Sequence, residues 1–302
     1  MGVAAAALAK GELRRRGARE RRPKSRLQRK TLKQISRAIE LLEGRGDVAN
    51  ERTVHETRKA LKRTRALVRL QRGSLGPKRY RRTNAALRTC GQRLAGARDA
   101  EVVLDTLDRL IEEHPKALRG PGVRRLRARL LAEHVRAGGV AGQGAPTRAE
   151  VLARLRGVRA DIEHWRPQAG DRATARAGLL ELYREGRRRG RRARKAGSSE
   201  ALHDWRKRVK DLRYAAEALG LEKVARRADA LGETIGAEHD LWLLARAVRR
   251  HRDCFKGDKA AYKALRRLIA RRRSRLRRRA FVLGKELYAR PPRRFVKRAL
   301  PG

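Results

Sequence analysis

Apolar side chains recur every three or four positions along most of the chain, which is the spacing of one face of an α-helix. The first clear run precedes Gly44 and Gly46 and consists of Leu27, Leu32, Ile35, Ile39 and Leu42. Glycines placed after such a run are typical of a helix end. Alternating runs typical of strands are scarce, and aromatic residues make up only 4% of the chain. The pattern therefore predicts an all-α fold.

Glycine, proline and capping residues divide the later apolar runs into further helices. Thr53 with Glu56 three residues later predicts a capping box at the start of one helix. The other predicted helices cover 78–95, the stretch from Asp99 to the break at Gly120-Pro121-Gly122, from there to Gly138-Gly139, from Pro146 through Ile162, from Asp171 into the arginine cluster 187–194, from Ser199 onward, 221–235, 238–255 and Lys259 to about Tyr288.

The helical segments form one domain between two basic ends. Residues 1–23 are rich in glycine and arginine, which predicts a disordered arm. Two consecutive prolines predict the end of regular structure and a basic tail over 291–302. The domain between them covers 24–290, with a first half over 24–165 and a second half over 171–290.

One block of sequence occurs twice. Residues 54–65 read VHETRKALKRTR, and residues 202–213 read LHDWRKRVKDLR, which is 148 residues later without a gap. The basic positions that are identical form a first stripe and a second stripe: His55, Arg58, Lys59, Lys62 and Arg65, then His203, Arg206, Lys207, Lys210 and Arg213. Their spacing of i, i+3, i+4, i+7 and i+10 puts each set on one side of a helix. Because a duplicated core face usually keeps only its class of residue, the retained polar identity makes the stripes the candidate functional site.

A second block supports a duplication. Residues 90–99 align with residues 231–240 at a shift of 141, so the second half is shorter by seven residues, about two helical turns. The two ordered blocks predict two similar bundles related by approximate two-fold symmetry, with the stripes facing each other across the interface. Asp99 and Asp240 end the aligned blocks, where we predict helix N-caps or, alternatively, ion pairs that hold a stripe cation.

The charge balance indicates a polyanionic partner. Lysine and arginine number 82 against 32 aspartate and glutamate, a net charge of +50. A monomer this basic is destabilised by self-repulsion unless it meets nucleic acid, an anionic polymer or an anionic membrane surface. No run of 18 apolar residues predicts a membrane span, and no secretory signal is recognisable, so a cytoplasmic protein is expected. Cys90 and Cys254 lie in apolar helical patterns and are expected to be buried reduced thiols, and Trp205 and Tyr214 are expected to pack in the core.

Cations one helical turn apart suit a linear polyanion. They lie at intervals of about 5 Å, so closely spaced negative charges meet several of them at once. Arginine offers a planar fork to phosphate oxygens, lysine a mobile point charge, and histidine a further donor when protonated. The alternatives are that each stripe is a solvated helix face and that each histidine bonds to local backbone.

Patterns that support catalysis are missing from the sequence. His55-Glu56 begins like the zinc-protease H-E-x-x-H, but Lys59 occupies the place of the second histidine. Neither a phosphate-binding glycine loop nor a carboxylate cluster for two-metal chemistry is present. We therefore expect a binding protein without catalytic residues, cofactor or resident metal.

The doubled His-x-x-Arg-Lys-x-x-Lys-x-x-Arg pattern, each copy followed by a Gly…Asp block, resembles the CHAD domain (conserved histidine α-helical domain) over residues 25–290. The resemblance implies two pseudo-symmetric four-helix bundles with a basic groove or pore between them, binding of inorganic polyphosphate and association with polyphosphate granules. It carries the binding role over to both stripes. Helix neighbourhood adds Arg69, Arg81, Arg82, Arg88, Arg226 and Arg227. The match departs from symmetry where Arg98 stands opposite His239.

Two other functions compete with polyphosphate binding. A nucleoid-associated protein would grip nucleic acid nonspecifically through its basic ends and general charge. Metal binding would need His55 and His203 to lie close together with two further ligands, in a strongly basic environment. The oligomeric state is not determined by the sequence.

Overall fold

Regular structure in the computed structural model consists of twelve α-helices and one short 3₁₀ helix, with no strand among the residues that it describes, which are 24–44, 51–94, 98–141 and 145–301. The all-α prediction is confirmed, while the predicted arm 1–23 lies outside the described residues. The helices are α1 (Arg26–Glu43), α2 (Glu51–Leu70), α3 (Arg72–Leu75), α4 (Pro77–Arg93), α5 (Arg98–Glu113), α6 (Pro121–Ala141), α7 (Ala145–Glu163), α8 (Asp171–Ala196), α9 (Ser199–Leu219), α10 (Glu222–Arg250), the 3₁₀ helix (Arg252–Phe255), α11 (Lys259–Leu287) and α12 (Pro292–Ala299).

Four helices of the first half, α1, α2, α4 and α7, share one core. Ile35 of α1 and Leu61 of α2 are buried there together with Leu87 of α4 and Leu155 of α7. Cys90 is buried in the same core, as predicted. The apolar faces that the spacing predicts thus point inward, and the burial of their apolar area holds the four helices together.

A second core lies among α8, α9, the start of α10, the end of α11 and α12, and Leu27 and Leu70 of the first half also belong to it. Trp205 of α9 lies inside it, and Tyr214 is also buried, so the prediction for these two aromatic residues is confirmed. Gly284 of α11 makes room for the indole, because a Cβ there would lie 2.5 Å from Trp205 Cη2.

A third core joins the two halves, which the sequence pattern did not predict. Leu107 of α5 and Leu126 of α6 pack with Leu244 of α10 and Leu265 of α11. Since α10 and α11 are each 29 residues long, both pass from the second core into the third. Cys254 lies beside this core and is only partly buried.

A buried carboxylate joins three helices of the second half. The side chain of Glu238 in α10 is only 2% exposed, and its Oε1 lies 2.9 Å from Arg273 Nη2 and 2.8 Å from Arg277 Nε, both in α11. The same two guanidinium groups donate to Ser199 Oγ at the start of α9, at 2.6 Å and 2.8 Å. The position equivalent to Glu238 in the first half is Ala97, so this cluster has no copy there.

The glycine-containing second block does not separate two helices as predicted. In place of helices over 221–235 and 238–255, α10 runs unbroken from Glu222 to Arg250. Gly236 permits a close approach of α9, because a Cβ there would lie 2.5 Å from Arg206 Nη2. Asp240 is therefore a residue of the helix interior, and its predicted N-cap role is wrong.

Helix boundaries differ from the predictions at three further places. The helix α2 starts at Glu51, so Thr53 lies inside the first turn and is not the cap of a capping box. Gly138-Gly139 do not end α6, which reaches Ala141. Pro291-Pro292 start α12 because proline is well suited to a first helical turn, and Phe295 of this helix stacks on Tyr183 with ring centroids 3.9 Å apart. The expected irregular tail is thus largely helical and packed.

Candidate functional site

The two helices that carry the repeated motif, α2 and α9, pack directly against each other. Two ion pairs bridge them: Arg63 Nε lies 3.6 Å from Glu217 Oε2, and Arg69 Nε lies 3.4 Å from Asp211 Oδ2. From the first pair to the second the residue number rises on α2 and falls on α9. The two helices are therefore antiparallel at their contact.

These bridging pairs connect the same two positions of the repeat. At the shift of 148, Arg63 is equivalent to Asp211 and Arg69 is equivalent to Glu217. The pair Arg63–Glu217 is thus the exchanged counterpart of the pair Asp211–Arg69, with the signs of the charges reversed. An exchange of this kind is what a two-fold relation between two helices produces.

Asp211 is the carboxylate around which arginines of both helices gather. Besides Arg69, Arg208 Nη2 lies 3.1 Å from Asp211 Oδ2, and Arg65 is near enough for its charge to act on the same group. Burial raises the pKa of Asp211, and the charges of Arg69, Arg208 and Arg65 oppose that shift. A search for residues that are identical in the two motif copies does not find Asp211, because the equivalent residue in the first half is Arg63.

The second stripe lies along α10. Arg206 Nε donates to the Gly232 carbonyl at 3.1 Å, and Lys210 Nζ lies 3.5 Å from Glu233 Oε1. One turn further along α9, Arg213 forms an ion pair with Asp229 of α10. Lys207 faces Asp204 of its own helix, with Nζ 3.1 Å from Oδ1. The stripe thus occupies the crossing of α9 and α10.

The first stripe lies along α4 in a similar way. Arg65 Nε donates to Asn84 Oδ1 at 3.3 Å, and the neighbouring Arg69 Nη1 donates to the Tyr80 hydroxyl at 3.4 Å. Lys59 Nζ lies 3.4 Å from Glu56 Oε1 on its own helix. The remaining members are placed as follows: His55 and Lys62 are exposed, Arg58 is half-buried, and each of the three has a partner within the structure.

Both stripes contain cations that are crowded and partly withdrawn from water. Burial lowers the pKa of Lys210, and the charge of Arg206 adds to that shift. Burial likewise lowers the pKa of Arg65, and the charge of Arg69 adds to it. An anion that enters between such groups relieves their mutual repulsion, and its charge compensates for the hydration that they have lost.

The additional arginines chosen by helix neighbourhood lie in different surroundings. Arg69 and Arg88 both lie close enough to Arg65 for their charges to lower its pKa. Arg82 Nη2 is 2.5 Å from Asp161 Oδ1, so α7 holds it. The other three, all exposed, are Arg81, Arg226 and Arg227, and Arg226 lies 3.6 Å from Glu222 of its own helix.

A ladder of rings begins at the histidine of the second stripe. His203 stacks on His239 with ring centroids 4.2 Å apart, and His239 stacks on Trp242 at 5.3 Å. The guanidinium carbon of Arg246 lies 5.0 Å from the centre of the Trp242 ring. His239 was visible in the sequence only as a departure from symmetry, and nothing in the pattern indicated that it touches His203.

The surroundings of His203 predict that stability depends on pH. Burial lowers the pKa of His203 to about 4, and the charges of His239, Lys207 and Arg206 add to the shift. In the unfolded chain the ordinary pKa of about 6.5 applies, so below that pH the unfolded chain binds a proton that the folded chain does not. The stability from neutral His203 is thus fully present above about pH 6.5 and is lost as the pH falls towards 4.

We expect urea midpoints measured between about pH 7 and pH 4.5 to fall with pH, and the fall to be shallower in His203→Asn. His164 is exposed, so His164→Asn should follow the parent protein. An equal pH dependence in the parent protein and in His203→Asn would contradict the prediction.

No group of three or more metal-ligating side chains lies together in the described part of the chain. Within the same residues, no helix has the length and apolar character needed to cross a bilayer.

A family model described as "CHAD domain" matches residues 26–249 of the 302-residue chain. No match was found among curated proteins.

Proposed function

The chain belongs to the CHAD domain family, a family known for polyphosphate binding, and from that premise we propose that it binds inorganic polyphosphate through the first and second stripes. Binding without catalysis is the proposed role, with residence at polyphosphate granules as its cellular consequence.

The antiparallel packing of α2 against α9 is the observation that carries the proposal. On α9, Lys210 lies about 100° around the helix from the bridging residue Asp211, and on α2 Lys62 is displaced from Arg63 by the same angle in the same sense. In an antiparallel pair, equal displacements put both stripes on the same side of the crossing. One polyanion passing over that side would meet both stripes.

The chemistry of the stripes suits a chain of phosphates. Polyphosphate carries a charge on every unit, and the stripes repeat their cations at about 5 Å per helical turn. Several stripe cations already face carboxylates, such as Lys210 beside Glu233, so a bound phosphate would replace these weaker partners. Inorganic polyphosphate has no bases or sugars to recognise, which agrees with a site whose proposed binding groups are cations.

The proposal is tested by reversing stripe charges. Labelled long-chain polyphosphate is titrated with the parent protein and with the variant Arg58→Glu, Lys62→Glu, Arg206→Glu, Lys210→Glu at near-physiological salt. We expect a loss of affinity on the order of 100-fold, because four phosphate contacts become repulsive. A matched control makes the same change of net charge on and near α6: Lys116→Glu, Arg119→Glu, Arg129→Glu, Arg136→Glu. The control should lose less than about threefold.

Helicity measured by circular dichroism shows whether each variant is folded, and glutamine at the same four stripe positions removes the charges without reversal. Duplex DNA is added as competitor to the parent complex. Equal losses in the stripe variant and the control, or equal competition by DNA, would refute a dedicated polyphosphate site. A nonspecific nucleic-acid binder would then be the better description.

A further inference from the structure

Two histidines face each other where the second stripe begins. The residues that meet across α9 and α10 follow at intervals of about one helical turn: Arg213 with Asp229, Lys210 with Glu233, Arg206 with Gly232, and His203 with His239. The three cations of this series meet an acid or a carbonyl, whereas the last contact joins two bases. Their ring centroids are 4.2 Å apart. Because two like charges at this distance repel, stability alone does not account for the pair.

The two rings are held in place but remain accessible. Both histidines are half-buried, and His239 also stacks on Trp242. Within the described residues, Nδ1 of His203 is buried and forms no hydrogen bond, whereas Nδ1 of His164 lies 2.8 Å from the Ala160 carbonyl oxygen. The ring of His203 is thus held by stacking, and no Nδ1 bond to local backbone explains its presence.

The pair lies among the cations of the second stripe. Burial, followed by the charges of His239, Lys207 and Arg206, lowers the pKa of His203 to about 4. The charge of Asp204 opposes the shift, but its Oδ1 already faces Lys207 Nζ at 3.1 Å. Near neutral pH, His203 of the free protein is therefore uncharged although it lies where an anion would meet the stripe.

The acids near the pair do not neutralise a proton on it, because each already has cations of its own. Their neighbours are as follows: Asp204 of α9 lies beside Lys207 and Arg189, and Asp240 of α10 lies near Arg206 and Arg109. A proton on the pair thus adds a charge to a region that is already positive. The phosphates of a bound polymer would supply the missing negative charge, so the protonated pair is favoured in the complex.

The two halves of the sequence differ at this place in the kind of base they carry. The position equivalent to His239 in the first half is Arg98. A permanent cation in one half thus corresponds to a titratable base in the other. The second half gains by protonation a charge that the first half carries at every physiological pH.

We propose that the His203–His239 pair is a proton-dependent part of the polyphosphate site, so that the protein binds the polymer more tightly in mildly acidic than in neutral solution. This inference rests on the proposed function and adds a regulation to the same site. The complex binds a proton that the free protein does not, and a fall in pH therefore favours the complex. Affinity is lowest above about pH 6.5, where an imidazole of ordinary pKa is neutral, and it rises as the pH falls towards about 5.

The test compares affinities for labelled long-chain polyphosphate at about pH 7.5 and about pH 5.5, in about 0.15 M salt. We expect the parent protein to bind about tenfold more tightly at the lower pH, which is the factor for a histidine whose pKa rises from about 4 to about 6.5 on binding. The double variant His203→Asn, His239→Asn should gain less than about threefold. His164 is exposed, so His164→Asn should follow the parent.

His239→Arg gives the second half the permanent cation of the first. At about pH 7.5 this variant should bind at least about threefold more tightly than the parent, and its affinity should depend less on pH. Circular dichroism shows whether each variant is folded at both pH values.

Calorimetry of the parent protein needs no variant. Binding at about pH 5.5 in two buffers of different ionisation enthalpy should show an uptake of about half a proton or more per site. An exposed histidine of ordinary pKa is already protonated at this pH and adds little.

The inference and the proposed function fail separately. An equal gain at low pH in the parent and the double variant, or binding without proton uptake, overturns the inference. The proposed function is tested at about pH 7.5, where the stripe variant of four glutamates must lose affinity whatever the pH dependence. Absence of polyphosphate binding at both pH values refutes both.

Discussion

Replacing Asp211 by asparagine is expected to lower the free energy of unfolding by about 3 kcal/mol, because it leaves partly buried guanidinium groups without their carboxylate. Arg69 and Arg208 approach Asp211 to 3.4 Å and 3.1 Å, and their side chains are only 17% and 18% exposed. Neither can recover full hydration when the charge is removed. Urea denaturation followed by circular dichroism measures the change.

A matched control uses Asp229, an aspartate of α10 that pairs with α9. Asp229 pairs with Arg213 but is 40% exposed, so Asp229→Asn should lower the free energy of unfolding by less than about 1 kcal/mol. If Asp211→Asn is no more destabilising than Asp229→Asn, the buried pair does not hold α2 against α9.

Glu238→Gln is expected to have an effect of similar size, about 3 kcal/mol or more, on the free energy of unfolding. The substitution keeps the shape but leaves Arg273 and Arg277 facing each other around a neutral amide. Since both arginines also donate to Ser199, the change should loosen the contact of α11 with the start of α9 as well. Hydrogen exchange of the α9 amides would report that loosening.

Glu233 supplies the comparison for this prediction. It lies in the same helix and pairs with Lys210, but 64% of its side chain is exposed. Glu233→Gln should therefore reduce stability by less than about 1 kcal/mol. A similar loss in both glutamine variants would show that burial of Glu238 does not decide its role.

The helical placement of the candidate site could be predicted from the sequence because the motif is repeated. Identical cations at helical spacing located the first stripe and the second stripe, and their helices form as the apolar spacing indicates. Comparing the two copies emphasises what they share. Such a comparison does not identify Asp211, because the equivalent residue in the first copy is Arg63. The role of Asp211 depends on this difference in charge, which lets it form an ion pair with Arg69 of the first copy.

The errors in the fold have local causes. Gly236 and Pro292 each predict a helix break, but a glycine is tolerated inside a helix where another element approaches closely, and a proline is tolerated in a first turn. The sequence pattern does not predict the third core, because the residues of this core come from helices that are far apart in sequence, such as α5 and α11. Periodicity gives the side of a helix that is buried, but it does not give the partner against which it packs.

The exchanged ion pairs between α2 and α9 also make some pairings of the two halves electrostatically unfavourable. Two copies of the first half, joined through the same surface, would oppose Arg63 to Arg69, and two copies of the second half would oppose Asp211 to Glu217. Both combinations are repulsive, and only the mixed combination places opposite charges together.

At these positions the charges of each half are consequently complementary to those of the other half and repel those of a second copy of the same half. The opposite signs at these positions make self-pairing of either half through this surface unfavourable during folding.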